Sequence, residues 1–480
     1  MIAAHSVADV RAAERAVMAL LPPGTLMHRA AAALDVECAR VLREATGGVS
    51  GRRAVVLAGS GDNGGDALLA AARLARRGVA VTALTTSEHV HPEGLAAARA
   101  AGVRTRPWQA GDEDVCAAAD LVLDGIAGIG GRGGLRPVHE GLSALDGPVV
   151  VAVDLPSGLD ADTGAVTGEL MAADVTVTFG TAKPAHLLAP AAARCGRLVV
   201  VDIGTTDHLP APAVERVELA DVAARWRRAA PGDDKYSRGV VGVVAGGPDY
   251  TGAAVLAVEA AVRAGAGMVR YLGPQHPAEL VRQRRPEVVV GEGRVQAWVL
   301  GPGVSPDDPE QQDRIRRALA SGEPAVVDAG ALAGLPAALG PHHVLTPHAG
   351  ELARLLGAER RAVEADPLTH ARRVHESTGA TVLLKGSVTT VVGERGVLTA
   401  AAAPTWLSTA GAGDVLAGVL GAALAARPDE DPAQVAADAA VLHGWAATLA
   451  SAGGPLAALD VADAVPAALT SLPGWAGTGG

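Results

Sequence analysis

One pattern recurs along the chain and constrains its fold most. A short, wholly apolar run ends in glycine and polar residues and leads into an alanine-rich helical stretch. Ala54–Ala58 is such a run; it ends in Gly59-Ser60-Gly61-Asp62-Asn63-Gly64-Gly65-Asp66, and residues 67–77 are read as the helix that follows. Residues 79–84, 121–124, 148–153, 175–179 and 198–203 continue the pattern. Residues 239–245, 269–272, 297–300, 324–327, 344–345 and 381–384 repeat it in the second half. Runs without a polar face suit strands buried on both sides, as in parallel sheets. Strands alternating with helices predict an α/β fold with doubly wound, mostly parallel sheets, whose ligands gather at the carboxyl ends of strands. Asn63, Asp66, Asp124, Asp154 and Ser157 all fall at such ends.

A chain of 480 residues is expected to hold two or three domains. The pattern breaks at Leu209-Pro210-Ala211-Pro212 and again around Arg225–Arg228. We place the boundary near 206–216, with domains over 1–206 and 221–480 and a linker over 207–220. Residues 7–20 and 25–46 have helical spacing and are separated by Pro22-Pro23-Gly24. A net charge of −11 argues against a nucleic-acid surface. No apolar run reaches the ~18 residues of a membrane span, and Met1–Arg11 lacks the basic start and apolar stretch of a signal peptide. Cys38, Cys116 and Cys195 show no metal spacing, so reduced structural thiols in a cytoplasmic protein are expected.

Arginine outnumbers lysine 38 to 3, and Asn63 is the single asparagine. Where composition has removed lysine and asparagine so thoroughly, Lys183, Lys235 and Lys385, with Asn63, are candidates for positions at which chemistry forbids the swap, chance survival of any one of them being the alternative. A compact ammonium that can lose its proton is one such need. Asn63, Asp124 and Ser157 offer amide, carboxylate and hydroxyl oxygens, a set suited to an alkali or alkaline-earth cation and not to zinc.

In the second half, Ser408–Gly418 runs from a glycine-broken loop straight into an apolar helix. The backbone N–H groups at Gly411–Gly413 then face outward with the positive end of the helix dipole, an arrangement that binds phosphate oxygens. Asp414 would repel phosphate and is better placed as a general base toward a substrate hydroxyl. Lys385-Gly386-Ser387-Val388-Thr389 follows a strand and offers an ammonium, hydroxyls and loop N–H groups to a nucleotide.

The stretches Gly61–Asp66, Asp124–Gly130, Asp154–Gly158 and Thr178–Lys183 resemble, in order and rough spacing, the NAD(P)H-hydrate epimerase family. The resemblance implies a Rossmann-like domain that binds hydrated NAD(P)H through Asp62, Asn63, Gly64, Gly65 and Asp66. Gly128, Ile129, Gly130, Gly131, Arg132, Gly133 and Gly134 form the second binding loop it implies. It further implies a potassium ion on Asn63, Asp124 and Ser157. Asp154 would contact the hydrated nicotinamide, with Lys183 as its acid–base partner. Asp62 stands where the family usually has asparagine, and Ala67 where it usually has glycine, which puts the strength of dinucleotide binding in question.

The stretches Tyr250–Leu256, Gly301–Gly303, Thr346–Leu356, Lys385–Thr389 and Ser408–Gly418 are similar to the ADP-dependent NAD(P)H-hydrate dehydratases, within the ribokinase-like superfamily. This implies a ribokinase-like α/β domain. Lys385, Gly386, Ser387, Val388, Thr389 and Gly413 would bind ADP. Ala253, Gly303, His348 and Asp414 would contact the hydrate. Magnesium is expected with the nucleotide from the chemistry, and a homo-oligomer is expected for the whole. The family usually has Gly-Thr-Gly-Asp, whereas this chain has Gly411-Ala412-Gly413-Asp414, the form common in ribokinase-like kinases. The rival reading is therefore a small-molecule kinase with a non-catalytic dinucleotide-binding domain in front.

Overall fold

The strand Arg53–Ala58 shows how the first half is layered. Ala54, Val56 and Ala58 pack with Leu34, Leu42, Leu68 and Leu74. Val55 and Leu57, on the other face, pack with Leu84, Val122, Leu142 and Met171. Both faces are dry, which is why the run carries no alternation. The computed structural model describes residues 1–475 apart from Arg132, Ala337 and Ala402. It divides into two units: residues 3–214, and residues 1–2 with 215–480.

In the first unit seven strands form one parallel sheet. From edge to edge they are Arg104–Pro107, Ala80–Thr85, Arg53–Ala58, Leu121–Gly125, Val149–Val153, Val175–Phe179 and Arg197–Val201. The order reverses beside Arg53–Ala58, the usual place for a ligand crevice in such sheets. Helices Val7–Met18 and Thr25–Thr46 form where the apolar spacing predicts them. The glycine-rich stretch differs from its sequence reading. Its helix begins at Asp62 and not at Ala67, so Asn63-Gly64-Gly65-Asp66 is the first turn of a helix and not a loop. The glycines are needed because this turn packs hard on its neighbours: a Cβ on Gly64 would lie 2.3 Å from the Gly59 carbonyl oxygen.

The second unit is built on a longer sheet. Five parallel pairings join His343–Leu345, Ala325–Val327, Ala297–Leu300, Val240–Val244, Met268–Tyr271 and Val289–Val290 in that order. Thr381–Leu384 pairs parallel with His343–Leu345 and antiparallel with Thr389–Gly393, which turns back into Gly396–Ala400. The hairpin was absent from the sequence pattern, where Lys385–Thr389 reads as one loop; Thr389 already belongs to a strand. Val241, Val243, Val299, Val326 and Val344 pack against helices Thr251–Arg263, Ala412–Ala426, Pro432–Ser451 and Ala458–Thr470. Alanine and glycine allow close approach there, as at Gly418, whose Cβ would lie 2.2 Å from the Ala257 carbonyl oxygen. The expected linker is structured in part, holding a 3₁₀ turn at Thr206–His208, strand Val214–Arg216 and the start of helix Leu219–Arg225. The three cysteines are free and buried. Among the described residues no helix is long and apolar enough to cross a membrane.

Candidate active sites

In the first unit, the ends of two adjacent strands carry a buried charge pair. Asp154 follows Val149–Val153, and Lys183 lies just beyond Val175–Phe179. Lys183 Nζ donates to Asp154 Oδ1 at 2.5 Å and to Thr178 Oγ1 at 2.9 Å, while that hydroxyl donates to the same carboxylate oxygen at 2.9 Å. Lys183 is 1% exposed and Asp154 7%. Burial pushes the Asp154 carboxyl up, but the Lys183 charge and the hydrogen bonds outweigh it and hold the group below the usual carboxylate range. Asp154 also has φ +65°. A non-glycine residue held there stores about 1–3 kcal/mol of strain, characteristic of functional positions.

His186 explains how that conformation is kept. Its Nδ1 accepts the Lys183 N–H at 2.9 Å, so Nε2 carries the proton and donates to the Asp154 carbonyl at 2.8 Å. Sequence reasoning missed His186. The signal available was its position three residues beyond Lys183, at the first turn of the short helix Pro184–Leu187.

Asp124 lies at the end of the neighbouring strand and is fully buried. It accepts from Ser157 Oγ at 2.6 Å, Ser157 N–H at 2.8 Å and Ile126 N–H at 3.3 Å. Burial raises it to about 6, against the lowering effect of those bonds. Asn63 comes to the same place: a Cβ at Gly128 would lie 2.8 Å from Asn63 Oδ1 and 3.3 Å from Asp154 Oδ2. The missing side chain at Gly128 thus leaves room between the Asn63 amide oxygen and the Asp154 carboxylate. A buried carboxylate beside further oxygen donors fits a hard alkali or alkaline-earth cation.

Asp62 and Asp66, one turn apart on their helix, line a cavity of about 520 Å³ with Glu14, His91, Phe179 and Ile203. Asp66 is pushed well above the carboxylate range by burial and by the charges of Asp154, Asp62 and Glu14. Of the expected second loop, Gly128 adjoins Asn63 and Asp154, whereas Gly134 is bonded to the Gly158 carbonyl and Gly133 lies against Thr167. Ile129 packs near Leu155 and Leu159, and Ile129 and Gly130 form a turn closed by the Gly131 N–H on the Gly128 carbonyl. Arg132 lies outside the described residues.

In the second unit, helix Ala412–Ala426 starts from Gly411 in the left-handed conformation. The first-turn N–H groups have no partner within a helix. Lys385 follows Thr381–Leu384, and a Cβ at Gly413 would lie 3.2 Å from its Nζ and 3.9 Å from Asp328 Oδ2. Lys385 Nζ donates to Asp328 Oδ1 at 2.7 Å and lies 3.9 Å from Glu351 Oε2. Thr346 Oγ1 bonds the same Asp328 oxygen at 2.9 Å. Burial works against the Lys385 charge, but Asp328, Glu351 and Asp414 more than offset it, so the ammonium is held protonated. Burial and the charge of Asp328 push Asp414 up to about 7, with Lys385 opposing and Glu351 adding to the rise. A carboxylate poised near neutrality suits a general base.

His348 caps helix Ala349–Leu356. Its Nδ1 accepts from Gly350 N–H at 3.0 Å, and Glu351 Oε2 accepts from His348 N–H at 2.9 Å. That leaves Nε2 on the half-open side, 3.6 Å from Glu351 Oε1. Gly303 has φ +65°, and its Cβ would lie 2.6 Å from Ala253 Cβ, so these two expected substrate positions touch. One turn beyond Ala253, Leu256 packs on Gly411. Gly386 and Ser387 are exposed beside Lys385, while Val388 points into the protein. His443 is buried behind the helix start and bonds the Ala412 backbone; burial holds it neutral, down to about 4. Asp328 and His443 are functional-looking residues given no role by sequence reasoning, although Asp328 ends a strand as the other site residues do. Among the described residues no three His, Cys, Asp or Glu side chains form a metal cage.

Both halves match known families. A family model described as NAD(P)H-hydrate dehydratase covers residues 241–466, and one described as YjeF-related protein N-terminus covers residues 23–185. A Mycobacterium tuberculosis protein named bifunctional NAD(P)H-hydrate repair enzyme Nnr is 47% identical over 438 residues, covering 88% of this chain and 89% of that one. An Escherichia coli protein of the same name is 33% identical over 439 residues, covering 84% and 81%. A crystal structure of the ADP/ATP-dependent NAD(P)H-hydrate dehydratase from Bacillus subtilis, co-crystallised with ATP and Mg²⁺, aligns with a TM-score of 0.51 at 26% identity. It covers 54% of this chain and 99% of its own.

Proposed function

The chain belongs to the bifunctional NAD(P)H-hydrate repair enzymes, and we propose that its two units carry out the two steps at the two sites described. The first epimerises the R and S forms of hydrated NADH and NADPH. The second removes water from the S form at the expense of ADP. The observation that carries the reading is Asp414: a carboxylate raised to about 7 at the mouth of a helix start, with Lys385 against Gly413.

In the second unit, the hydroxyl on the hydrated ring is a poor leaving group. Asp414 takes its proton as the oxygen attacks the terminal phosphoryl group of ADP, forming an O–P bond and releasing AMP. First-turn N–H groups at Gly413 and the Lys385 ammonium stabilise the charge on the moving phosphoryl group. The ring nitrogen then pushes out inorganic phosphate, a proton leaves the adjacent carbon, and the C=C bond of NAD(P)H is restored. Lys385–Thr389 and Gly413 hold the nucleotide, and Ala253, Gly303 and His348 hold the hydrate. Magnesium would enter with the nucleotide and would supply further positive charge for the phosphoryl transfer.

In the first unit, Asp62–Asp66 and Gly128–Gly134 bind the hydrate; the Asp154–Lys183 pair takes the proton from the ring hydroxyl as the adjacent C–N bond opens to an aldehyde and the nitrogen is protonated, and the reverse steps close the ring on the other face of that carbonyl. Asn63, Asp124 and Ser157 would hold a potassium ion, which would supply positive charge beside the buried Asp124 carboxylate. We place the enzyme in the cytoplasm as a homo-oligomer, with the domain boundary between 206 and 220.

The test is direct. Purified protein and ADP are added to a mixture of hydrated NADH epimers, and the near-ultraviolet absorbance of NADH is followed. Full recovery is expected. No recovery rejects the dehydratase, and recovery that stops with one epimer left rejects only the epimerase.

A further inference from the structure

Asp328 has no role in the steps above, yet it is the most constrained carboxylate at the second site. It ends the strand Ala325–Val327, is 2% exposed, and touches both a hydroxyl and an ammonium. Its Oδ1 takes the Thr346 hydroxyl at 2.9 Å and Lys385 Nζ at 2.7 Å. Its Oδ2 points toward Gly413, 3.9 Å from where a Cβ would be. Among the described residues Lys385 has one other anionic neighbour at ion-pair range, Glu351 at 3.9 Å, and Glu351 is itself tied to the His348 backbone. A lysine side chain has four rotatable bonds, and a single fixed oxygen decides where its charge sits.

We propose that Asp328 is the positioning residue of the dehydration. Anchored by Thr346, it holds the Lys385 ammonium at the helix start, where the transferred phosphoryl group develops charge. The inference rests on the phosphoryl-transfer reading of this site. It adds that the lysine works only while Asp328 directs it. Asp328 does not touch the reacting atoms; it acts through Lys385 and, by its charge, on Asp414.

That second effect gives a readout that loss of structure alone would not produce. The groups facing Asp414 are Asp328, Lys385 and Glu351, with His348 beside Glu351 and neutral His443 behind the helix start. As a base, Asp414 works only when ionised, so the rate falls as pH drops through about 7. Asp328 raises that value, so removing its charge moves the acid limb of the kcat–pH profile to lower pH.

The experiment compares Asp328→Asn, Lys385→Met and the double variant in full-length protein, using ADP and S-hydrate. Misplacement of the cation by about 1 Å predicts a kcat loss of about 100-fold for Asp328→Asn, with a smaller change in KM for the hydrate. The acid limb shifts downward. In the Lys385→Met background, Asp328→Asn adds little further loss, because the residue it directs is gone. An unshifted limb with wild-type kcat, or losses that multiply in the double variant, overturns the inference. If Asp328→Asn does not fold, Thr346→Val tests the same anchor: a lower kcat that disappears in the Lys385→Met background supports it, and an unchanged kcat rejects it. If wild-type protein shows no ADP-dependent recovery, the phosphoryl-transfer reading has failed; if it does and these variants behave as wild type, only the positioning role has.

Discussion

At the scale of single residues, the chain concentrates its few lysines where a buried ammonium must meet a carboxylate. Lys183 pairs with Asp154 and Lys385 with Asp328. Changing Lys183 to Met leaves Asp154 buried without its cation. Breaking a buried pair in this way costs about 3–5 kcal/mol, and the carboxyl would take up a proton. The expected outcome is a lower melting temperature, loss of epimer exchange, and NADH recovery from a mixed hydrate sample that stops with one epimer left. Full recovery by the folded variant would remove Lys183 from the mechanism. Much of this was legible in the sequence, because lysine survives at three positions against a strong arginine bias. The third, Lys235, is exposed in a loop against Tyr236 and belongs to neither site. His186 and His443 were not legible: nothing in a one-dimensional pattern tells a histidine that fixes a backbone from one that fills a core.

At the scale of elements, parallel strands declared themselves because both of their faces are apolar. The edge strand Arg104–Pro107 did not, since three of its four residues are polar or charged. The hairpin Thr389–Ala400 was hidden by a loop-like start, Lys385-Gly386-Ser387. The helix beginning at Asp62 was misplaced because consecutive glycines argue against helix by propensity, and packing overrides that preference here. Close approach to Gly59 makes the point testable. Gly64→Ala puts a methyl group 2.3 Å from a carbonyl oxygen, and relieving such overpacking costs about 1–3 kcal/mol. Thermal unfolding is expected to show that loss, and epimer exchange is expected to fall with it, because Asn63 and Asp66 share the turn. ADP-dependent dehydration of the pure S-hydrate should stay at the wild-type rate.

At the scale of the whole molecule, the two units hold separate apolar cores, one around Leu34, Leu68 and Val56 and one around Val243, Val299 and Leu420. Scanning calorimetry should therefore resolve two transitions. ADP at a hundred times its dissociation constant stabilises a folded site by about 2.7 kcal/mol, and the shift should appear in one transition only. A shift of both would place nucleotide on both units. The sheet class of each half and the strand-end location of its site residues were readable in advance, because both follow from local repetition. The boundary region was harder, since its short strand and turn carry proline and little periodicity.

The lysine distribution has a practical consequence as well. Lys183 is sealed from solvent and Lys385 is held protonated in its ion pair, so neither offers a free amine. Lys235 stands exposed. Apart from the amino terminus, an amine-reactive dye or surface linker should find this one address, and the immobilised or labelled enzyme should keep both of its activities.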